Sequence, residues 1–318
     1  MDVDSERILY QKNAYEKKLI ASTTKIMTFV VAYEYAKDFL DVYVEAGDEI
    51  LKMYGTSIYI SLHEKMKLRD LLYGMMLRSG NDAAVVIANF VGGDEEGFVK
   101  LMNKKAKFLG MNNTIFNNPH GLDEVTKNYS TAYDMALLSI YASKIPFYRE
   151  VTSTKYYKTS TDEKAYSWTN RNKMIFMYPL FTTGKTGYTP SAGKSLVSTS
   201  RKDDLELTIV SLNDSNIYDN QRLLYEEMFS KYKNTLIVSK DDFNFFYNNL
   251  YIKNDIYYPL KDNEKEKIDI KIINNSEIII TLDNKEIIKE KVYQKEEKEV
   301  INNSNIFTKI RNILQKIF

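Results

Sequence analysis

The chain has 318 residues, 44% of them hydrophobic, which is ample for a large core and on length alone suggests two domains. Lys and Arg number 44 against 43 Asp and Glu, a formal net charge of +1, so nothing in the balance points to nucleic acid. Cysteine is absent and the only histidines are His63 and His120, which excludes disulfides, thiolate metal sites and a three-histidine zinc centre.

In chain order, residues 6–20 read as a strand and turn with Ile8, Leu9 and Tyr10 at the apolar centre of the strand. Ala21 to Thr28 reads as the start of a helix that runs to about Ala36, with Ile26, Phe29, Val30 and Tyr33 at helical spacing. Residues 41–67 look like short strands and turns leading into a helix from Leu68 to Arg78. The stretch Asp82 to Phe90 continues helically until Gly92-Gly93 breaks it. Asp94 is placed to N-cap a helix with the apolar face Phe98, Leu101, Met102 and Leu109, and Gly110 sits where a C-cap glycine belongs. Thr131-x-x-Asp134 is similar to a capping box ahead of a helix ending near Ala142. Two strands follow, Lys194 to Ser200 and Leu205 to Leu212, joined by Arg201-Lys202-Asp203-Asp204. A helix from about Tyr218 to Tyr232 closes this part.

From about Asn234 the pattern changes to short alternating strands such as Ile268 to Ile272. Ile278 to Leu282 and Glu286 to Lys289 read as a hairpin across Asp283-Asn284-Lys285. Residues 234–297 are expected to form a small β domain without catalytic residue constellations, serving to space or position, with Gln294 to Glu299 as a charged hinge candidate. Further on, Ile306, Phe307, Ile310, Ile313, Leu314, Ile317 and Phe318 share one helical face, with Lys309, Arg311, Gln315 and Lys316 between them. An amphipathic, basic helix over 298–318 suits an anionic membrane surface; docking on its own protein or on a second copy is the other reading. No run of about 18 apolar residues occurs, and the polar start Met1-Asp2-Val3-Asp4-Ser5 is unlike a signal peptide.

Side chains three residues apart on a helix lie on one face, so Ser22 and Lys25 can touch. A serine hydroxyl becomes a useful nucleophile when a neighbouring base takes its proton, and a lysine whose charge is disfavoured can be that base. Such a pair is common by chance. Two further motifs give it weight: Ser79-Gly80-Asn81 after the helix ending at Arg78, and Lys185-Thr186-Gly187 before a strand-like run. This trio, in this order and with glycine in the middle of the second motif, resembles the serine-lysine, Ser-Asp-Asn and Lys-Thr-Gly signature of penicillin-binding proteins and class A β-lactamases. With the longer strings Ala21 to Thr28, Leu77 to Ala84, Asn118 to Leu122 and Thr183 to Gly187, the chain resembles the D-alanyl-D-alanine carboxypeptidases. These are the low-molecular-mass penicillin-binding proteins of peptidase family S11. The resemblance is close over roughly residues 5–235 and one of layout beyond them.

The resemblance implies an α+β fold. A penicillin-binding, transpeptidase-like domain over 1–233, an antiparallel sheet with helices, would precede the small all-β domain over 234–297 and the C-terminal amphipathic helix over 298–318. It implies a serine-type hydrolase, with no metal or cofactor, that removes the terminal D-alanine from peptidoglycan stem peptides and is acylated by β-lactam antibiotics. Ser22 would be the nucleophile and Lys25 its base, with a pKa lowered by a cation such as Lys185. Ser79 would relay a proton towards the leaving amine, and Asn81 would position the substrate's amide. Lys185 and Thr186 would hold the terminal carboxylate, and Gly187 would keep their strand free of bulk where the substrate lies. The backbone N–H groups of Ser22 and Tyr188 would form the oxyanion hole; Tyr188 stands where some relatives carry histidine. Arg171, in Asn170-Arg171-Asn172, is similar to an arginine that the family places near the substrate carboxylate.

His120 invites a triad with Ser22 and an aspartate, but Lys25 already supplies a base at helical spacing, which leaves His120 a structural or substrate-side role. His63 is expected on the surface. Family members are exported, so the resemblance also implies the outer face of the cytoplasmic membrane, with the signal peptide absent from this chain. Two other readings stay open. One is a β-lactamase, for which no glutamate-bearing deacylation loop is recognisable between Asn81 and Lys185. The other is a weakly active penicillin-binding scaffold.

Overall fold

In the computed structural model the residues described, 1–247 and 249–295, fall into two units, Met1–Asn234 and a second from Thr235 onward. Helix α1 (Lys25–Ala36) is the axis of the first. Every residue from Lys25 to Ala32 is buried, because Ile-Met-Thr-Phe-Val-Val-Ala is apolar on nearly every face and suits only an interior position. Around it lie α2 (Leu68–Leu77), α3 (Asn81–Gly92), α4 (Glu95–Phe108), α5 (Ala132–Ser143) and α6 (Pro146–Thr152). Phe29, Leu72, Ile87, Met102, Leu138 and Tyr148, one from each helix, belong to a single apolar cluster. Asp94 caps α4 by accepting the Gly97 N–H at 2.6 Å, and Gly110 follows the helix with φ +72°. At α5 only half of the expected capping box forms. Thr131 accepts the Asp134 N–H at 3.0 Å, but the Asp134 carboxylate turns to the Asn113 N–H and the Thr114 hydroxyl, both at 2.8 Å.

The short α7 (Met174–Met177) leads into an antiparallel sheet of Phe181–Thr189, Gly193–Lys202 and Leu205–Ser211, and α8 (Ile217–Lys231) packs on it. Lys185 stands opposite Val197, and Val197 opposite Val210. In the middle strand Leu196 joins a cluster with Tyr225 and Phe229 of α8, while Val197 joins the α1 cluster. Successive side chains point to opposite faces, so the sheet is covered on both sides and carries the catalytic-type motif Lys185-Thr186-Gly187 inside a strand rather than ahead of one.

Two expectations change here. Ile8, Leu9 and Tyr10 form no strand; within residues 6–20 only Lys18–Leu19 pairs, with Tyr129–Ser130. Three apolar residues do not make a strand without a partner ladder. These instead border a concavity of about 710 Å³ between themselves, the strand Leu205–Ser211, α5 and α8, and no candidate site residue lines it. The segment Ala21–Thr24 is a 3₁₀ turn, with the α-helix beginning at Lys25. The Ser22–Lys25 contact survives this change because side chains three apart eclipse in a 3₁₀ turn.

The second unit pairs Leu250–Tyr251 with Tyr293–Gln294 and stacks Ile268–Ile273, Glu277–Leu282 and Lys285–Lys291 into one antiparallel sheet. The hairpin turns on Asp283 and Asn284, at φ +49° and +63°, a left-handed conformation that these two residue types tolerate. Ile278, Ile280 and Leu282 alternate inward, the first two meeting Phe243, Leu250, Ile252 and Val292, and Leu282 meeting Tyr258 and Leu260. The unit is not all-β, as expected, because it includes α9 (Lys240–Phe246), capped by Ser239 and anchored by Phe243. Two turns of helix are too short for periodicity to announce. The expected helix over 298–318 lies outside the described residues. No helix among those described is long and apolar enough to cross a membrane.

Candidate active site

Ser22 and Lys25 meet at the head of α1. Lys25 is fully buried, with Nζ 3.1 Å from Ser22 Oγ, 2.7 Å from Asn81 Oδ1 and 2.6 Å from the His120 carbonyl. Burial, and then the charge of Lys185, hold its pKa well below the lysine range, against the pull of Asp82. An uncharged amine has two N–H donors and one lone pair. A side-chain carbonyl and a backbone carbonyl can only accept, so they take the two donors and leave the lone pair for the Ser22 hydroxyl. That is the arrangement of a general base beside its nucleophile.

Asn81 stands behind Lys25. It is 1% exposed, and its Nδ2 donates to the Tyr54 carbonyl at 2.7 Å, so both ends of its amide are engaged within the protein. Its Oδ1 accepts from Lys25 Nζ and so orients that amine. Asp82, which the motif reading passed over, accepts the N–H groups of Ile58, Tyr59 and Ile60 at 3.0, 2.8 and 3.3 Å. It thereby fixes the loop leading from Tyr54. An acid in the first turn of a helix right after Ser-x-Asn was the available signal.

The His120 carbonyl is delivered by a turn tied to α1. Asn128 Nδ2 donates to Thr24 Oγ1 and to the Asn118 carbonyl, both at 3.0 Å, and Thr28 Oγ1 donates to the Pro119 carbonyl at 2.5 Å. Asn118 Oδ1 accepts the Gly121 N–H at 2.6 Å. The His120 ring is turned to its own loop, with Nδ1 accepting the Leu122 N–H at 3.0 Å. Burial and then Lys25 lower its pKa to about 3, so it stays neutral. Its Nε2 lies 3.8 Å from Glu95 Oε1, and among the described residues no hydrogen bond joins the ring to Ser22, so no triad with Ser22 forms. No sequence signal marks Asn128, because its partners are distant in the chain. His63 is exposed, with Nδ1 3.0 Å from Glu45.

Lys185 is buried on the neighbouring strand. Its Nζ donates to Ser79 Oγ at 3.0 Å and to the Thr186 carbonyl at 2.7 Å. Burial, and then the charge of Arg171, lower its pKa to about 7. Ser79 adopts φ +64°, an uncommon conformation for a residue with a Cβ, and the Thr56 hydroxyl holds its carbonyl at 2.7 Å. Arg171 is pinned through its N–H to the Leu77 carbonyl at 3.0 Å. Its guanidinium is exposed and has no carboxylate partner among the described residues. Lys185 and Arg171, with half-buried Thr186, make a cationic end suited to a carboxylate.

Gly187 has a different neighbour from the one expected. A Cβ there would lie 3.0 Å from the Thr23 nitrogen and 3.1 Å from the Ile20 oxygen and the Ser22 nitrogen. The space it leaves is filled by the nucleophile turn, not kept open for substrate. Gly121, at φ +87°, presses on the same turn from the other side, where a Cβ would collide with the Ala21 carbonyl. Tyr188 is 64% exposed at the end of the Lys185 strand. Among the described residues no cluster of His, Asp or Glu could hold a metal ion.

The model of a family described as D-alanyl-D-alanine carboxypeptidase, peptidase S11, matches residues 1–216. The chain is 38% identical over 212 residues to D-alanyl-D-alanine carboxypeptidase DacF of Bacillus subtilis (strain 168), across 65% of this chain and 54% of that protein. It is 35% identical over 225 residues to D-alanyl-D-alanine carboxypeptidase DacC of Escherichia coli (strain K12), across 67% and 54%. The matched part thus spans about half the length of these curated relatives. Among solved structures, the D-alanyl-D-alanine carboxypeptidase DacD from Francisella tularensis aligns with a TM-score of 0.75 at 25% identity, over 93% of this chain and 91% of that one.

Proposed function

This chain belongs to the D-alanyl-D-alanine carboxypeptidase family, peptidase S11, and from that premise we propose that it removes the terminal D-alanine from peptidoglycan stem pentapeptides through an acyl-enzyme on Ser22. The observation that carries the proposal is the fully buried Lys25, with Nζ 3.1 Å from Ser22 Oγ and its pKa held well below the lysine range by burial and by Lys185. Ser22 Oγ attacks the carbonyl between the last two D-alanines as its proton passes to Lys25 Nζ. The N–H groups of Ser22 and Tyr188 receive the oxyanion. The C–N bond then breaks as Ser79 passes a proton to the departing amine and is resupplied with the one that Lys25 took from Ser22, so Lys185, 3.0 Å from Ser79 Oγ, keeps its charge for the carboxylate. Water hydrolyses the ester in the second step.

Lys185, Thr186 and Arg171 hold the terminal carboxylate. Because Lys185 sits near a pKa of about 7, an arriving carboxylate raises that value and charges the group that binds it. Penicillins, which present a carbonyl and a carboxylate in like arrangement, acylate the same serine. Peptidoglycan as substrate places the enzyme on the outer face of the cytoplasmic membrane, with the C-terminal segment as its membrane contact. The carboxypeptidase names of the relatives support this reading over a β-lactamase.

The test is intact-mass spectrometry after penicillin, on wild type and Ser22→Ala, alongside D-alanine release from a peptide ending in D-Ala-D-Ala. A penicilloyl adduct and D-alanine release, both lost in the variant, are expected. Rapid penicillin turnover without D-alanine release would instead mark a β-lactamase, and a stable adduct without peptide cleavage a scaffold.

A further inference from the structure

We propose that α9 in the second unit is a membrane-contact element, in which Phe245 and Phe246 enter the interfacial layer of an anionic lipid bilayer. Phe245 is 76% exposed and Phe246 74%, with ring centroids 5.5 Å apart, and Tyr247 follows at 45%. Single exposed apolar residues are ordinary on protein surfaces, but three consecutive aromatics at the end of one short helix are not scattered. They are not there for the helix itself, since aromatic residues are among its weaker formers. Nor is the helix loose. Phe243 is buried, Tyr247 stacks on it at 4.7 Å, and Asn244 Oδ1 accepts the Ile252 N–H at 3.0 Å. The exposed rings are therefore held outward by a fixed scaffold.

The paired strands next to α9, tied to it by the Asn244–Ile252 hydrogen bond, carry further rings and lysines. Tyr293 stacks on Tyr251 at 5.3 Å, with Lys253 and Lys291 over its ring at 4.4 and 5.2 Å. Amphipathic rings with lysines whose stems reach past them are the pattern of interfacial anchors. The acidic residues of α9, Asp241 and Asp242, lie in its first turn, away from the aromatic end.

The path of the chain selects lipid as the occupant. Lys295, the last residue described, donates its backbone N–H to the Asn249 carbonyl at 2.9 Å and its ammonium to the Asn244 carbonyl at 3.1 Å, so the described chain ends against α9. After ten intervening residues, 296–305, begins the run Ile306 to Phe318, apolar at seven positions and interleaved with Lys309, Arg311 and Lys316. That tether spans no more than about 35 Å at full extension. A basic amphipathic segment binds an anionic surface only reversibly, and a second contact at short range raises the local concentration of the first. Phe245 and Phe246 supply that second contact.

The full chain is tested by sedimentation with vesicles of phosphatidylglycerol and phosphatidylcholine. A Phe245→Ser, Phe246→Ser double variant is expected to partition about tenfold or more weakly, with its melting temperature and its rate of acylation by penicillin unchanged. In a Phe246→Trp variant, the added tryptophan emission is expected to shift to the blue on addition of vesicles and to be quenched by a lipid-borne quencher. A double variant that partitions as wild type, or a Phe246→Trp emission that does not respond, would falsify the proposal. Loss of self-association in vesicle-free solution, with partition unchanged, would assign the face to a second copy of the chain and likewise overturn it.

Discussion

Lys25, Lys185, Asp70, Asp82 and Asp134 lie inside the first unit, each held by hydrogen bonds. Among the described residues, every buried polar or charged side chain falls at or before Gln221, and the interior of the second unit is apolar: Phe243, Leu250, Ile256, Ile278, Ile280. Burying a charge costs stability unless it is fully partnered, and apolar packing of equal volume is commonly no worse. A fold that buries two lysines, one against Ser22 and the other against Ser79, therefore carries a penalty that points to chemistry. In the second unit the unusual feature is on the outside, in the exposed rings of α9.

The sharpest way to break the contrast is at the nucleophile. Ser22→Ala is expected to lower D-alanine release by about a thousandfold or more and to remove the penicilloyl adduct, read by mass spectrometry, while the protein stays folded. Gly187→Ala acts on the same atom indirectly. Its Cβ would press on the backbone of Ile20 to Thr23 at 3.0–3.1 Å, so the nucleophile turn must shift, and the acylation rate constant is expected to fall about a hundredfold.

A smaller effect comes from pH. Lys185 has an ordinary pKa of 10.5 when unfolded and about 7 when buried. It is charged only below about 7, so acylation by a carboxylate-bearing penicillin is expected to decline as pH rises through that value. Arg171→Ala removes the cation that helps to lower this pKa, and the alkaline limb of the rate profile moves to higher pH. For stability the sign is opposite. Between pH 7 and 10.5 the unfolded chain holds a proton that the folded one has released, so folding grows more favourable as pH rises. Urea titrations across that window check it. Least of all is expected from Ile280→Ala, at a fully buried position of the second unit. It should cost about 2–5 kcal/mol of folding stability by urea titration, yet leave the penicillin acylation rate at its wild-type value.

What the sequence disclosed depended on how local the signal was. The helix after Leu68, the Asp94 cap and the Asp283-Asn284 hairpin are written in residues a few positions apart, and the structure keeps them. The Ser22–Lys25 pair was legible for the same reason. Contacts across the chain were not. Nothing near Asn128 announces Thr24, 104 residues away, and nothing in Lys-Thr-Gly says that its glycine faces Ser22 rather than a substrate. Ile8 to Tyr10 failed for the converse reason, since they have strand composition without a partner. Phe245 and Phe246 lie on the surface of the second unit, a placement that no local pattern announces.

The packing of Gly121 and Gly187 against the Ser22 turn also bears on how drug resistance could arise. An inhibitor that acylates Ser22 selects for substitutions that reshape the pocket around it. Here the walls beside the nucleophile are main chain on main chain, and a side chain at either glycine displaces the serine itself. Reactivity with the drug and with the natural peptide would be lost together. On the proposed reading, escape that spares the physiological reaction is thereby directed to exposed side chains such as Tyr188 and Arg171, whose replacement leaves the serine where it is.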